Sequence, residues 1–196
     1  LFHDAIPLRW AHLYGEQAKP AAQAHAKYMN GLAEFDFVLA NSVSTKNHLR
    51  QHWKEQNLKP KACLTVLPLA TELPGQARLP APIGSESLVL CVGSLEPRKN
   101  HRGLLTALTS LVAEGRWPTS YTLVIVGWAN DSRVVQLVER ACTLGLPLRW
   151  EHQVDESRLQ QLYRATAFCV YPSLEEGFGL PIAESIWHRR PCLCSG

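Results

Sequence analysis

The stretch Tyr171-Pro-Ser-Leu-Glu-Glu-Gly-Phe-Gly-Leu-Pro-Ile-Ala-Glu184 decides the fold of this chain. The apolar run that ends at Tyr171 predicts a buried parallel strand, a turn with two glycines follows, and Pro181 favours the first position of a helix. The start of a helix offers unpaired N–H groups and a positive dipole end, which suit a phosphate. The carboxylates of Glu176 and Glu184 bracket the turn and can accept hydrogen bonds from sugar hydroxyls. The stretch therefore predicts a site for a diphosphate joined to a sugar.

The second half of the chain repeats this alternation of strand and helix. Apolar runs predict strands at 88–92, 121–126, 148–151, 168–171 and 191–194, and helical periodicity predicts helices at about 100–113 and 132–144, with two more begun by Asp155 and Pro181. Continuous apolar strands between helices predict an α/β fold, with Rossmann-like parallel sheets and helices on both faces. Ligands of such folds bind beyond the carboxyl ends of the strands, so the loops there form the candidate site.

The first half of the chain is less regular. Its patterns predict the end of a strand at 1–6, a helix at 17–32, a short buried strand at 35–40, a helix capped by Asn41-Ser42, and a strand at 63–67. Residues 73–87 contain three prolines and two glycines, which predict a linker. The predicted organisation is one domain at 1–72, a linker at 73–87 and a second domain at 88–196.

Composition describes a globular protein and excludes some partners. The net charge is only +3, and no block of lysine or arginine stands out, so we expect no nucleic acid partner. The six cysteines contain no C-x-x-C and mostly lie in apolar runs, which predicts buried, reduced thiols. No signal peptide or membrane-spanning run is visible. The chain lacks an initial Met and begins and ends beside predicted strands, so we expect a fragment of a larger protein.

A second informative loop is Gly93-Ser-Leu-Glu-Pro-Arg-Lys-Asn100, which follows a predicted strand and precedes a predicted helix. A guanidinium at Arg98 can bind two phosphate oxygens, and the ammonium of Lys99 is a compact point charge. The alternative is a solvated basic pair. Cations at a helix start oppose the helix dipole, however, so their presence indicates that an anion binds there.

These two loops together resemble glycosyltransferase family 4. Glu176 and Glu184 match the E-x(7)-E element of that family, and His3-Asp4-Ala-Ile-Pro7 and Phe37-Val-Leu-Ala-Asn-Ser42 resemble two further stretches of it, in the right order. The resemblance implies the GT-B fold, with the C-terminal domain mostly present and only the last part of the N-terminal domain. The residues of these motifs are most similar to those of bacterial transferases that build surface polysaccharides, many of which use GDP-mannose.

The resemblance also implies a role for each matching residue. Arg98 and Lys99 would bind the donor diphosphate and stabilise the leaving phosphate. Glu176 would contact the donor sugar, Glu184 the ribose, and His3 would lie near the sugar and the acceptor. The other residues expected at the donor are Gly93, Ser94, Val154, Gly177, Phe178, Gly179 and Leu180.

The implied reaction is a retaining transfer of a hexosyl group, with mannosyl favoured, from a nucleotide-diphosphate sugar to a hydroxyl of a glycan or lipid-linked acceptor. No Asp-x-Asp is present, so we expect no metal and no cofactor. The expected location is cytoplasmic, with peripheral contact at the inner face of the membrane as an option. Two alternatives stay open: a fragment that binds nucleotide sugar without turnover, and a GT-B phosphorylase or epimerase, which fits the motifs less well.

Some residues depart from the family pattern or have simpler interpretations. Ser94 stands where the family often has a second basic residue, and Arg189 stands where it usually has glycine. Gly127 is compatible with merely ending a strand. Glu175 is expected to be solvated, and the histidines at positions 12, 25, 48 and 101 are expected at the surface.

Overall fold

The computed structural model describes residues 1–70, 78 and 87–195. The chain divides into two compact units: unit 1 comprises Leu1–Ala70 together with Glu175–Gly179, and unit 2 comprises Thr71–Leu174 together with Leu180–Gly196. The predicted linker, 73–87, lies outside the described residues apart from Arg78 and Ser87.

Unit 1 is a small α/β arrangement. Its elements are α1 (Ile6–Arg9), α2 (Lys19–Gly31), β1 (Phe37–Ala40), α3 (Val43–Glu55) and β2 (Cys63–Val66). The two strands pair in parallel, and Phe2 adds a single bridge to Ala40. The core joins Phe2, Met29, Leu49 and Trp53, whose indole N–H donates to the Met29 carbonyl at 2.7 Å.

The sequence predicted α2, β1, α3 and β2 with small errors but missed α1, because the strand end expected at 1–6 is a single bridge at Phe2 and Ile6 already begins a helix. The helix expected at 17–32 is α2, flanked by short 3₁₀ turns, and the expected cap of α3 is confirmed because the Ser42 hydroxyl accepts from the Thr45 N–H at 3.0 Å. The prediction of a short buried strand at 35–40 was wrong for its first residues, because the strand begins only at Phe37 and is buried on one face. Phe37 opens the strand with 72% of its surface exposed, and only Val38 and Ala40, on the opposite face, are buried.

Unit 2 is a parallel sheet of five strands with helices between them. Its elements are β3 (Leu88–Val92), α4 (His101–Ala113), β4 (Thr122–Val126), α5 (Ser132–Thr143), β5 (Leu148–Glu151), α6 (Glu156–Ala165), β6 (Thr166–Tyr171), α7 (Leu180–Trp187) and β7 (Cys192–Cys194). The strand order is β5-β4-β3-β6-β7, with every pair parallel. Side chains alternate between the two faces: Val89 and Cys91 pack with α4 and α5, whereas Leu90 packs with α6. The predicted doubly wound fold is confirmed.

The strand order identifies where a ligand is expected in unit 2. From β3 the chain moves outward through β4 and β5, then returns to place β6 on the other side of β3. The order therefore reverses between β3 and β6, and ligands of open parallel sheets bind outside the carboxyl ends of the strands at this point. The loop 93–100 follows β3, and the residues from Pro172 onward follow β6, so both motifs begin at this switch point.

Candidate functional site

The ends of β3 and β4 come together at two glycines. A Cβ atom on Gly127 would lie 2.0 Å from the carbonyl oxygen of Gly93, a distance that no side chain tolerates. Gly127 is therefore needed for the close approach of the two backbones, and it does more than end a strand. The approach fixes Gly93 at the start of the loop that carries the basic pair.

The ammonium of Lys99 lies at the switch point. Residues Pro97–Lys99 form a 3₁₀ turn, and the aliphatic stem of Lys99 runs beside Gly93. Its Nζ donates to the Tyr171 hydroxyl at 2.9 Å and lies 5.1 Å from the centre of that ring. Tyr171 ends β6, so the loop after β3 places a cation at the end of the adjacent strand. That placement suits an incoming anion.

Arg98 is more buried than its predicted role suggests. Only 9% of its side chain is exposed, and its Nη2 donates to the Glu96 carboxylate at 2.8 Å. The Ser94 hydroxyl donates to the same oxygen at 3.0 Å. The Arg98 carbonyl accepts from the Leu174 N–H at 2.9 Å, which joins the loop after β3 to the loop after β6. The side chain thus shapes the loop, and its contact with the diphosphate stays a prediction.

Glu184 lies in α7, half-buried, with a defined partner. The Tyr163 hydroxyl donates to its Oε2 at 3.3 Å. Burial raises the pKa of Glu184 above its ordinary value, the Tyr163 hydrogen bond opposes that rise, and the charge of Glu156 adds to it. Burial and the neighbouring Glu184 also raise the pKa of Tyr163, so this phenol stays protonated and remains a donor. The carboxylate is therefore oriented before any ligand binds.

Glu175 was predicted to be solvated, and that prediction was wrong. Only 13% of its side chain is exposed, and its carboxylate accepts from Arg9 Nε at 2.9 and 3.2 Å and from Trp10 Nε1 at 2.6 Å. His48 Nδ1 lies 3.2 Å from the same group. Burial and the charge of Arg9 lower the pKa of His48, and Glu175 acts against them. The segment 175–179 thereby packs within unit 1.

Gly177 makes a second close approach in the same segment. A Cβ atom on it would lie 2.4 Å from the His3 carbonyl oxygen, so only glycine fits. The Thr45 hydroxyl lies 3.2 Å from each of the carbonyl oxygens of His3 and Gly177. The structure therefore brings His3 and the segment that contains Glu176 together, although they lie far apart in sequence.

The remaining predicted site residues fall into the two units. Val154 is half-buried and packs against the core on the α6 face, and its contact with the donor stays a prediction. Leu180 begins α7, one residue before Pro181. Unit 2 contains Gly93, Ser94, Arg98, Lys99, Val154, Leu180 and Glu184, and unit 1 contains His3, Glu176, Gly177, Phe178 and Gly179.

The sequence analysis missed several buried or paired groups. His101 is almost fully buried, His48 contacts Glu175, and His25 Nε2 lies 3.0 Å from the Asp4 carbonyl oxygen, so the expectation of surface histidines was wrong for these three. Two of the six cysteines, Cys63 and Cys194, are exposed rather than buried, and all six are free. A buried acid such as Glu175 leaves no signal in its own stretch, because its partners lie more than a hundred residues away.

Neither a metal-binding cluster nor a membrane-spanning helix occurs among the described residues. Across 1–70, 78 and 87–195, no three His, Cys, Asp or Glu side chains lie close enough together to hold a metal ion. Within the same ranges, every helix is too short or too polar to cross a bilayer.

Comparison with known proteins gives matches to sugar transferases. The family model described as glycosyl transferases group 1 matches residues 86–196. O-antigen chain mannosyltransferase B of Escherichia coli is 41% identical over 112 residues, which is 56% of this chain and 29% of the relative. A serotype-specific mannosyltransferase WbdA of Escherichia coli is 34% identical over 209 aligned residues, 97% of this chain and 25% of the relative. The chain thus spans between a quarter and a third of these relatives.

Similarity to solved structures of other proteins identifies the fold of this chain. The pneumococcal O-GlcNAc transferase GtfA, in complex with UDP and GlcNAc, has a TM-score of 0.63 at 16% identity, covering 87% of this chain and 32% of that one. A UDP-forming α,α-trehalose-phosphate synthase from Burkholderia vietnamiensis has a TM-score of 0.65 at 13% identity, covering 91% of this chain and 48% of that one. The architecture is that of the GT-B fold.

Proposed function

The chain belongs to the group 1 glycosyl transferases, and on that basis we propose that it forms the donor side of an enzyme that transfers a hexosyl group from a nucleotide-diphosphate sugar to an acceptor hydroxyl. We propose further that the group is mannosyl, that its anomeric configuration is retained, and that no metal takes part. The mannosyltransferase relatives support the choice of sugar.

One observation carries the proposal: the Lys99 ammonium lies at the switch point of the sheet, bound to the Tyr171 hydroxyl. When the bond from the anomeric carbon to phosphate breaks, negative charge grows on the diphosphate. A fixed cation aimed at that charge interacts more strongly with the transition state than with the ground state, which is the condition for catalysis. Lys99 would thus stabilise the leaving group without an acid.

Glu184 would bind the nucleotide. Its carboxylate is oriented by Tyr163, one turn inside α7, and carboxylates accept hydrogen bonds from both hydroxyls of a ribose. Glu176 and His3, which share unit 1, would contact the transferred sugar. The acceptor would be a glycan or a lipid-linked glycan, which the O-antigen relative supports, and the reaction would take place in the cytoplasm or at the inner face of the membrane.

A second candidate is a module that binds nucleotide sugar without turning it over. It is favoured by the two donor-side contacts of unit 2, Lys99 with Tyr171 and Tyr163 with Glu184, which support nucleotide binding and do not by themselves require turnover. The two candidates differ in turnover and agree on donor binding.

Titration calorimetry and a transfer assay separate these candidates. The chain is titrated with GDP and UDP, and the complete protein is assayed with GDP-mannose and UDP-glucose. We expect one nucleotide to bind and Lys99→Met to weaken its binding about tenfold to a hundredfold, since a charged hydrogen bond contributes about 1.5–3 kcal/mol. Lys54→Met, which changes an exposed lysine of unit 1, is the control. Binding without transfer in the complete protein would refute the enzyme and leave the binding module.

A further inference from the structure

We propose that Glu175 is a positioning residue of the donor-sugar site: it anchors segment 175–179 within unit 1 and thereby fixes the place of the Glu176 carboxylate. The inference rests on the proposed function, because that function assigns Glu176 to the donor sugar. Glu175 itself is not expected to touch the sugar, since its carboxylate is already occupied by other side chains.

The contacts of Glu175 come from two separate helical regions. Arg9 closes α1 and donates through Nε to both carboxylate oxygens, and Trp10, the next residue, donates its indole N–H at 2.6 Å. His48, in α3, approaches the same carboxylate at 3.2 Å. A single side chain of the segment therefore joins it to two helices of unit 1, at the end of α1 and within α3.

Burial makes these contacts matter. With 13% of its side chain exposed, Glu175 has lost most of its hydration, and a desolvated carboxylate is tolerated only when charged or polar donors replace the water. Removing the carboxylate would leave the indole N–H of Trp10 and the guanidinium of Arg9 without their acceptor. The segment would then lose the interaction that specifies its position.

A second anchor lies two residues further on. Gly177 packs its Cα against the His3 carbonyl, and Thr45 lies within hydrogen-bonding distance of the carbonyl oxygens of both residues. Glu176 lies between these two anchors, so its backbone is held on both sides. Loss of the first anchor should displace Glu176 relative to His3, with which it shares unit 1, while Lys99 and Glu184, in unit 2, keep their contacts.

The test compares Glu175→Gln with Glu114→Gln in the complete protein. The first variant keeps the shape of the side chain but places an amide NH₂ among N–H donors, and the second changes an exposed glutamate that pairs with Arg116. With GDP-mannose as donor, we expect kcat in Glu175→Gln to fall on the order of tenfold to a hundredfold, because small misplacements of positioned groups have effects of this size. Affinity for GDP should change by less than about twofold.

Trp10→Phe supplies a second, milder variant, because it keeps an aromatic ring and removes the indole N–H together with the smaller ring that carries it. If Trp10 acts through Glu175, this change lowers kcat in the wild-type background and has no further effect in Glu175→Gln. Additive losses would contradict the proposed anchoring.

Each outcome decides the matter. If Glu175→Gln matches Glu114→Gln in kcat, the positioning role is refuted and the transferase function stands. If affinity for GDP falls as much as kcat, Glu175 has only a general structural role, which also refutes the inference. If the wild-type protein binds GDP-mannose without transferring the sugar, kcat cannot be measured. The quantity compared is then the difference in affinity between GDP-mannose and GDP, and the inference is refuted if this difference is the same in Glu175→Gln and in the wild type. If the wild type binds neither, the proposed function itself fails.

Discussion

At the scale of single residues, Gly127 lies where the backbone after β4 meets the backbone after β3. An added methyl group would meet the carbonyl oxygen of Gly93 at 2.0 Å and its carbonyl carbon at 2.5 Å, and neither backbone atom can rotate away. We therefore expect Gly127→Ala to lower the free energy of unfolding by at least ~2 kcal/mol. Urea denaturation measures this change.

The matched control for that substitution is Gly31→Ala. A Cβ atom on Gly31 would meet nothing within 4 Å, and its φ of −60° suits any residue. Alanine there should leave the stability unchanged or raise it by up to about 1 kcal/mol, because it restricts the unfolded chain. Equal effects of the two substitutions would show that the close contact at Gly127 relaxes without cost.

A second prediction at this scale concerns the Tyr163 hydroxyl. Its hydrogen bond lowers the pKa of Glu184 against the effect of burial, so Tyr163→Phe should raise that pKa further. The ionised form of Glu184 is the one proposed to accept from ribose hydroxyls. Nucleotide affinity should therefore decline as the pH falls, and the decline should begin at a higher pH in Tyr163→Phe. Calorimetry between pH 5 and 8 tests this, and superimposable profiles would contradict it.

At the scale of elements, four helices end in the same arrangement of hydrogen bonds. After α3, α4, α5 and α7 the backbone N–H groups bond back three and five residues, as in the Schellman motif. The residue in the left-handed conformation is Asn57, Gly115, Gly145 and Arg189 in turn, with φ between 53° and 75°. Glycine and asparagine suit this position, and arginine does not.

Arg189→Gly should therefore stabilise unit 2. Arg189 has φ of 56°, and its exposed side chain forms no hydrogen bond or ion pair within the described parts of the chain. A left-handed conformation costs a residue with a Cβ about 1–2 kcal/mol, and the greater freedom of glycine in the unfolded chain cancels part of the gain. We expect a net increase of ~1 kcal/mol in the free energy of unfolding, measured by urea denaturation. No increase would show that the αL conformation at this site is not strained for arginine.

The elements themselves could be predicted from sequence because their signals are local. The caps Ser42 and Asp155 act on N–H groups three residues ahead, and the apolar runs of β3 and β4 are buried on both faces. The departure of Arg189 from the family glycine was visible in the sequence too. Its physical meaning required the φ angle, since the pattern alone does not say which glycine has a positive φ.

At the scale of the whole molecule, the contacts that the sequence did not predict are those between residues far apart in the chain. The parallel order of the sheet follows from alternation of strands and helices, and Lys99 meets Tyr171 because β3 and β6 are neighbours. No local rule assigns the segment 175–179 to the unit formed by the first 70 residues. In the sequence, the neighbouring carboxylates of Glu175 and Glu176 cannot be told apart. The packing distinguishes them, because Glu175 is bound by Arg9 and Trp10.

Burial of neutral histidines links the stability of the whole chain to pH. Burial lowers the pKa values of His48, His52, His101 and His188 below the ordinary value, and that of His101 falls to about 4. For His101, burial is the main cause, the charge of Lys99 adds to it, and Glu96 opposes it. In the unfolded chain these groups bind protons at a higher pH than in the folded one.

The sign of the effect follows from this difference. A histidine whose pKa is 6.5 unfolded and about 4 folded leaves stability unaffected above pH 6.5 and lowers it progressively as the pH falls from 6.5 to 4. For His101 alone the loss by pH 5 is about 2 kcal/mol. His101→Gln removes this titration, so its loss of stability between pH 7 and pH 5 should be smaller than that of the wild type by this amount, whatever its stability at pH 7. Urea denaturation at the two pH values measures the difference, and an equal loss in both proteins would show that His101 takes up its proton in the folded chain as readily as in the unfolded one.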